Sequence, residues 1–302
     1  MNIGFSLPQY GAMAKQLDLV ARFARQAEEL GAASLWVGDR VLASVNPTVG
    51  YAGPGTPIPW QMNALLDPFV AMSVAATATE RVLLGTSTLT APWYSPLLLA
   101  RSLSGIDVVS RGRLLPGFGT GWSPEEYQGV GVPWRERGAR LDEFLDVLET
   151  VSATDPIEQH QGTHYSIPAA YIGPKPVQRP RPPIYLAAFG PASQRRAARR
   201  ADGILPAVTP HPGFKFDPVG AVSGPLEQVR RMAEDQGRDP ASIGAALRIS
   251  PSAESTVEDV VDIVLRTRDE TDVDHVFADF VYMADHVDQA LEMVQRTLEL
   301  TR

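Results

Sequence analysis

The reactive side chains of this chain cluster where short apolar runs stop. Gly38, Asp39 and Arg40 follow the run 34–37, and Ser87, Thr88, Leu89 and Thr90 follow the run 82–86. Gly117-Phe118-Gly119-Thr120-Gly121-Trp122 ends a third run, and Phe189-Gly190-Pro191-Ala192-Ser193 a fourth. A carboxylate beside a guanidinium can hold or pass a proton, or the two can simply pair at a loop start. Closely spaced glycines let a backbone approach a flat ligand, and they equally make a tight turn. Their third glycine comes one residue too early for the dinucleotide fingerprint, which argues against a nucleotide fold of that type. Ser123, Pro124 and Glu126 read as a capped helix start. At Gly190-Pro191-Ala192-Ser193 a helix opens directly after a strand, so free amides and the positive helix end predict an anion such as a phosphate. Arg195 and Arg196 follow within the first turns; an ordinary joint with solvated arginines would read the same way.

Other chemistries find little support. His160, His164, His211, His275 and His286 form no metal-binding spacing, and most read as surface or strand-flanking residues. Neither a nucleophile elbow nor a phosphate-binding P-loop occurs. The chain has 0 cysteines, which excludes disulfide frameworks, thiolate metal sites and a cysteine nucleophile. No metal is expected.

The elements that must position these residues alternate regularly. Strands are expected at 3–7, 34–37, 82–87, 113–118, 184–188, 204–207, 243–249 and 276–280. Helices are expected at 16–30, ended by Gly31, then at 70–79, 141–148, 191–200, 226–236, 257–266 and 287–300. A further helix runs from Pro96 through Val109 with Ser95 as its cap. About eight βα units in one chain of this size predict an α/β fold, a (β/α)8 TIM barrel over residues 1–302 as one domain. An open doubly wound sheet is the other arrangement such alternation could build. Pro116 is out of place in a central strand, where it loses a ladder bond.

Two long insertions break the alternation. Residues 40–67 are rich in Gly and Pro, open from the C-terminal face and read as a lid; residues 152–183 begin on the opposite face.

Composition sets the outer bounds. Among 302 residues, 27 Lys and Arg stand against 35 Asp and Glu, giving a net charge of −8, so no nucleic-acid partner is expected. A hydrophobic content of 44% is that of a globular protein. The first residues read as a strand rather than a signal peptide, and no apolar run approaches the roughly 20 residues of a membrane span. A cytoplasmic protein without a membrane partner is expected.

The strand-end motifs, in this order, resemble the luciferase-like flavin monooxygenase superfamily, particularly its branch of coenzyme F420-dependent oxidoreductases. The likeness is carried by residues 27–39, 78–87, 110–126, 175–180 and 199–203. It implies a barrel with its cofactor at the C-terminal face, a small-molecule substrate and a homodimer. Asp39 would contact the deazaflavin ring, a cis peptide at Ser87–Thr88 would support it, and Thr90 would lie beside it. Thr120 and Gly121 would line the cofactor, with Glu125 near. Phe189, Gly190, Ala192 and Ser193 would receive its side-chain phosphate. Asp39, Arg40 and Trp122 take the catalytic positions, although Arg40 replaces a histidine of many relatives and Trp122 a glutamate of the sugar-phosphate dehydrogenases. The phosphate-binding lysine of those dehydrogenases corresponds to Pro210, which argues against a sugar phosphate. The expected activity is hydride transfer between coenzyme F420 and a small organic substrate. Its alternatives are an FMN-dependent monooxygenase activating dioxygen, or a ligand-binding barrel without catalysis.

Overall fold

The structure is a computed structural model describing residues 1–51, 56–153 and 155–302. Gly53, Pro54 and Gly55 of the first long insertion lie outside the described residues.

Strands β1 (Asn2–Ser6), β2 (Ser34–Val37), β3 (Leu83–Thr86), β4 (Leu89–Thr90), β5 (Leu114–Leu115) and β6 (Gly117–Gly119) form the first half of the sheet system. A hairpin of β7 (His160–Gln161) and β8 (Ser166–Ile167) stands apart, inside the second long insertion, residues 152–183. Strands β9 (Tyr185–Leu186), β10 (Gly203–Ile204), β11 (Ala207–Val208), β12 (Gly244–Ala245), β13 (Leu247–Ile249) and β14 (His275–Ala278) complete the set.

The order β11-β13-β14-β1-β2-β3-β5 forms one sheet and β12-β10-β9-β6-β4 another. Four staves are each split between the two sheets, as β3 with β4, β5 with β6, β10 with β11 and β12 with β13, so the sheets join into a ring. All pairings in that ring are parallel. This is the expected barrel. Pro116 sits at one split: it interrupts the ladder between β5 and β6, yet its carbonyl still accepts the Tyr185 amide at 2.9 Å.

Around the ring lie α1 (Leu17–Leu30), α2 (Pro68–Ala78), α3 (Pro96–Val109), α4 (Pro124–Gly129), α5 (Arg137–Ser152), α6 (Pro191–Arg200), α7 (Gly224–Glu234), α8 (Val257–Glu270) and α9 (Val287–Leu300). Helix α1 is amphipathic, turning Val20, Phe23, Ala24 and Ala27 to the core. It ends at Gly31, whose φ of 107° is one that residues with a side chain rarely adopt. Two expected caps are absent: neither Ser95 nor Ser123 makes a side-chain cap bond, although each occupies the cap position before a proline.

Inside the barrel, Trp36, Leu115, Leu205, Ala246 and Phe277 form an apolar plug. Trp36 and Phe277 stack with ring centroids 4.0 Å apart. Gly85 makes the room, since a Cβ there would stand 2.4 Å from the indole. Next to the plug, His275 is buried rather than strand-flanking, with its Nε2 2.7 Å from the Ser34 hydroxyl.

Carboxylates and one guanidinium staple the loops that lead into and out of the strands. Glu28 accepts the amides of Glu80, Arg81 and Val82. Asp107 accepts those of Val177 and Gln178, and Asp202 that of Ile184. Arg113 donates to the carbonyls of Ala76, Thr79, Val82 and Ser110.

Candidate active site

The end of β2 is built around Gly38. The Gln9 side chain clamps it from both sides, accepting its amide at 2.7 Å and donating to its carbonyl at 3.2 Å. A Cβ on Gly38 would stand 1.9 Å from the Tyr10 hydroxyl oxygen. Asp39 is thereby held in a fixed direction. It accepts the Thr90 amide and the Tyr94 hydroxyl, each at 2.9 Å. Burial lifts its pKa to about 7 despite those two bonds, and the neighbouring Glu126 and Asp67 carboxylates push the same way. A carboxyl group titrating there can give or take a proton near neutral pH.

Asp39 and Arg40 do not pair with each other. Arg40 turns to Glu126, with Nε 3.3 Å from the carboxylate, and its guanidinium lies 4.8 Å from the centre of the Trp122 ring. One terminal nitrogen, Nη2, is buried without a hydrogen-bond partner among the described residues. Glu126 does not complete a capping box; it also accepts the Val41 amide at 3.1 Å. Burial raises its pKa, against the pull of Arg40. Glu125 points away from this group and accepts the Thr48 hydroxyl at 2.6 Å and the Thr48 amide at 2.8 Å. The Thr48 hydroxyl bond leads the effects that bring its pKa down to about 2. Successive glutamates on α4 therefore fasten two points of the 40–67 insertion. Its far limb is tied as well: Gly11 donates to Gln61 at 3.0 Å and Leu66 to Gln9 at 2.9 Å.

Ser87 and Thr88 are joined by a cis peptide bond, as the resemblance implies. Thr90 is buried beside Asp39. Thr120 uses its carbonyl to accept the Tyr127 hydroxyl at 2.6 Å. Gly121 has a φ of 63°, and a Cβ there would stand 2.9 Å from the Thr90 methyl carbon. Trp122 is half-buried against Tyr51 as well as Arg40.

The helix expected after the fourth run forms. Gly190 is its N-cap and Pro191 its first residue, and the Ser193 hydroxyl bonds both the amide and the carbonyl of Gly190 at 3.0 and 2.9 Å. Open space surrounds Gly190, and Phe189 is exposed. Arg195 is exposed, but Arg196 is not available to a ligand: it is buried on Asp142 at 2.7 Å and on the Gly138 carbonyl at 3.0 Å.

Two charged residues of the barrel mouth went unmarked in the sequence reading. Arg248 on β13 donates to Asp279, just after β14, at 2.6 Å and to the Ser87 carbonyl at 3.0 Å. Asp279 also accepts the hydroxyls of Ser6 and Ser250. The signal was present. An arginine between Leu247 and Ile249, and an aspartate closing the run 275–278, are charges in otherwise apolar strands. Tyr94, which holds Asp39, had no such signal because it lies beyond the strand end.

A cleft of about 830 Å³ lies within the 40–67 insertion, lined by residues 43–50 on one limb and 56–63 on the other. Among the described residues no group of His, Cys, Asp or Glu is placed to hold a metal ion. No helix among them is long and apolar enough to cross a membrane.

Comparison with known proteins agrees with this architecture. An F420-dependent glucose-6-phosphate dehydrogenase of Amycolatopsis mediterranei (strain U-32) is 32% identical over 205 residues, 65% of this chain and 56% of that protein. The oxygenase component of a flavin-dependent trigonelline monooxygenase of Acinetobacter baylyi (strain ATCC 33305 / BD413 / ADP1) is 33% identical over 146 residues, 48% of this chain and 39% of that one. The chain thus spans about half the length of these curated relatives, or less. An F420-dependent secondary alcohol dehydrogenase, solved with an F420-acetone adduct, superposes with a TM-score of 0.75 over 100% of this chain and 99% of its own, at 16% identity, and so shares the fold. The model of the luciferase-like monooxygenase family matches residues 3–300, and the chain belongs to that family.

Proposed function

We propose that this chain is an oxidoreductase transferring a hydride between coenzyme F420 and a small organic substrate at the C-terminal mouth of the barrel. The observation that carries the reading is the Asp39 site: a buried carboxyl titrating near neutrality next to a buried Arg40 donor that has no partner among the described residues. An orphaned buried donor loses hydrogen bonding that a bound group can restore, so the residues present fit a flat, oxygen-rich cofactor. The deazaflavin, when bound, supplies the hydride chemistry. Asp39 and Arg40 would face its ring, Thr90, Thr120 and Gly121 would flank it, and Gly190, Ala192 and Ser193 would take its phosphate. Asp39 holds the exchangeable proton on a carboxylate oxygen, and Tyr94 keeps that carboxyl in place. Trp122, packed on Arg40 and Tyr51, shields the site from water.

Likeness to the trigonelline monooxygenase favours a second reading, FMN with dioxygen. Titration of purified protein with F420 and with FMN separates the two. Tighter binding of F420, followed by hydride transfer to a test acceptor, is expected; FMN binding with oxygen uptake overturns the reading. Pro210 and Trp122 speak against the sugar phosphate of the glucose-6-phosphate relative.

We also read the chain as a cytoplasmic homodimer. Helix α2 is apolar on nearly every side, and exposed Val70 on α2 and Leu98 on α3 leave an apolar surface that a second copy would cover. Light scattering of the purified protein tests it, with twice the chain mass as the expected result.

A further inference from the structure

Arg248 crosses the floor of the mouth, from β13 to the end of β3. Asp279 holds its Nε at 2.6 Å, and the Ser87 carbonyl holds one terminal nitrogen at 3.0 Å. A planar guanidinium tied at two corners cannot swing away. Its other terminal nitrogen makes no hydrogen bond among the described residues. Tyr10, Tyr51 and Tyr282 lie within electrostatic reach of it, and the Tyr10 and Tyr282 rings are 5.8 Å apart. Tyr282 is only 6% exposed, yet its hydroxyl is buried with no partner among the described residues. Buried hydroxyls are ordinarily paired, so an orphan within electrostatic reach of a half-used guanidinium asks for an acceptor.

Both groups are donors at any working pH. Burial raises the Tyr282 pKa well above its ordinary value. Burial acts to lower that of Arg248, but Asp279 and the tyrosines outweigh it and raise it. Asp279 also cancels the charge of Arg248, so the pair presents donors without a net field. That arrangement favours a neutral acceptor oxygen over a full anion, and the surrounding rings favour an apolar or aromatic body.

We propose that Arg248 and Tyr282 bind the carbonyl oxygen of a neutral substrate with an apolar or aromatic body. The inference rests on the mouth being the substrate side of the cofactor site.

Acetophenone is a suitable probe, with benzoate as its anionic counterpart, each titrated by calorimetry into the purified protein; F420 and FMN are titrated separately. The parent protein is expected to bind acetophenone more tightly than benzoate. Tyr282→Phe should weaken acetophenone about fivefold, the loss of one neutral hydrogen bond. Arg248→Lys should weaken it about tenfold, and Arg248→Met more; cofactor affinity should stay within about twofold of the parent in Tyr282→Phe, which leaves the Arg248 bond to the Ser87 carbonyl in place. Where Arg248→Met fails to fold, Tyr282→Phe decides, because it deletes an oxygen that nothing in the described protein holds. Unchanged acetophenone binding in Tyr282→Phe, a preference for benzoate, or loss of cofactor together with probe in Tyr282→Phe overturns the inference. A parent protein that binds acetophenone as expected but neither cofactor overturns the proposed function and leaves the carbonyl site standing.

Discussion

Asp39 owes its properties to position more than to residue type. An aspartate in water titrates well below neutrality, and here burial outweighs two hydrogen bonds that favour the charged form. Its pKa of about 7 against an ordinary 3.8 means that the folded protein holds a proton there which the unfolded chain has released. Stability contributed by this group is therefore full below about pH 3.8 and is lost as pH rises to about 7. Asp39→Asn should abolish that slope in thermal melts across the same window. It should also remove any inflection near pH 7 from the pH–rate profile and lower the rate about 100-fold or more. An unaltered profile would show that another group carries the proton. Asp39 and Arg40 were legible as candidates because they close a strand. Their partners were not, because Tyr94 and Glu126 lie 55 and 86 residues further on and only the folded barrel brings them together.

At the scale of elements, helix α6 and the 40–67 insertion each make a prediction. Gly190 faces open space and its φ of −131° suits any residue, so Gly190→Val should fold normally. A side chain there would occupy the approach to the helix end and weaken cofactor binding about tenfold or more, measured by titration. Arg195→Ala should weaken it only slightly, and mainly at low salt. Tenfold loss from Arg195→Ala with none from Gly190→Val would move the phosphate elsewhere. The insertion is pinned at Val41, Thr48 and Gln61, so the amides of residues 42–46, between the first two pins, should exchange faster than barrel amides and slow when cofactor is added. Glu125→Gln weakens the pin at Thr48, and exchange around residue 48 should rise in that variant while strand amides stay as they are.

For the whole molecule, what was readable follows from what recurring motifs do in the fold. The 27–39 segment contains Glu28, the 110–126 segment Arg113, the 175–180 segment Gln178 and the 199–203 segment Asp202. Each is a staple between strands and helices. Family and barrel were legible because the segments that carry the resemblance are the ones that hold this barrel's strands and helices together. Substrate was not, because the mouth is lined by Tyr10, Tyr51, Arg248 and Tyr282, which no local pattern unites. His275 illustrates the same gap: the strand around it was expected, its burial was not. Burial lowers its pKa from 6.5 to about 4, so the folded protein resists protonating it. The unfolded chain binds that proton more readily, so stability is intact above about pH 6.5 and falls as pH drops to about 4. The loss amounts to about 3 kcal/mol. Urea melts at pH 7 and pH 4.5 should show a loss in the parent protein that His275→Gln reduces.

The paired glutamates of α4 bear on how such a protein changes over generations. Glu126 secures the insertion at Val41 and Glu125 secures it at Thr48, while Gly11 receives it again at Gln61. Residues 49–59 lie between fixed posts, and neither Asp39 nor Gln9 falls within that interval. Length and composition in that interval can drift, or be exchanged wholesale with a relative's, without disturbing the carboxyl group that the barrel holds. The site is thus built as a constant bench with an interchangeable front panel, and new specificity can be acquired there without rebuilding the chemistry beneath.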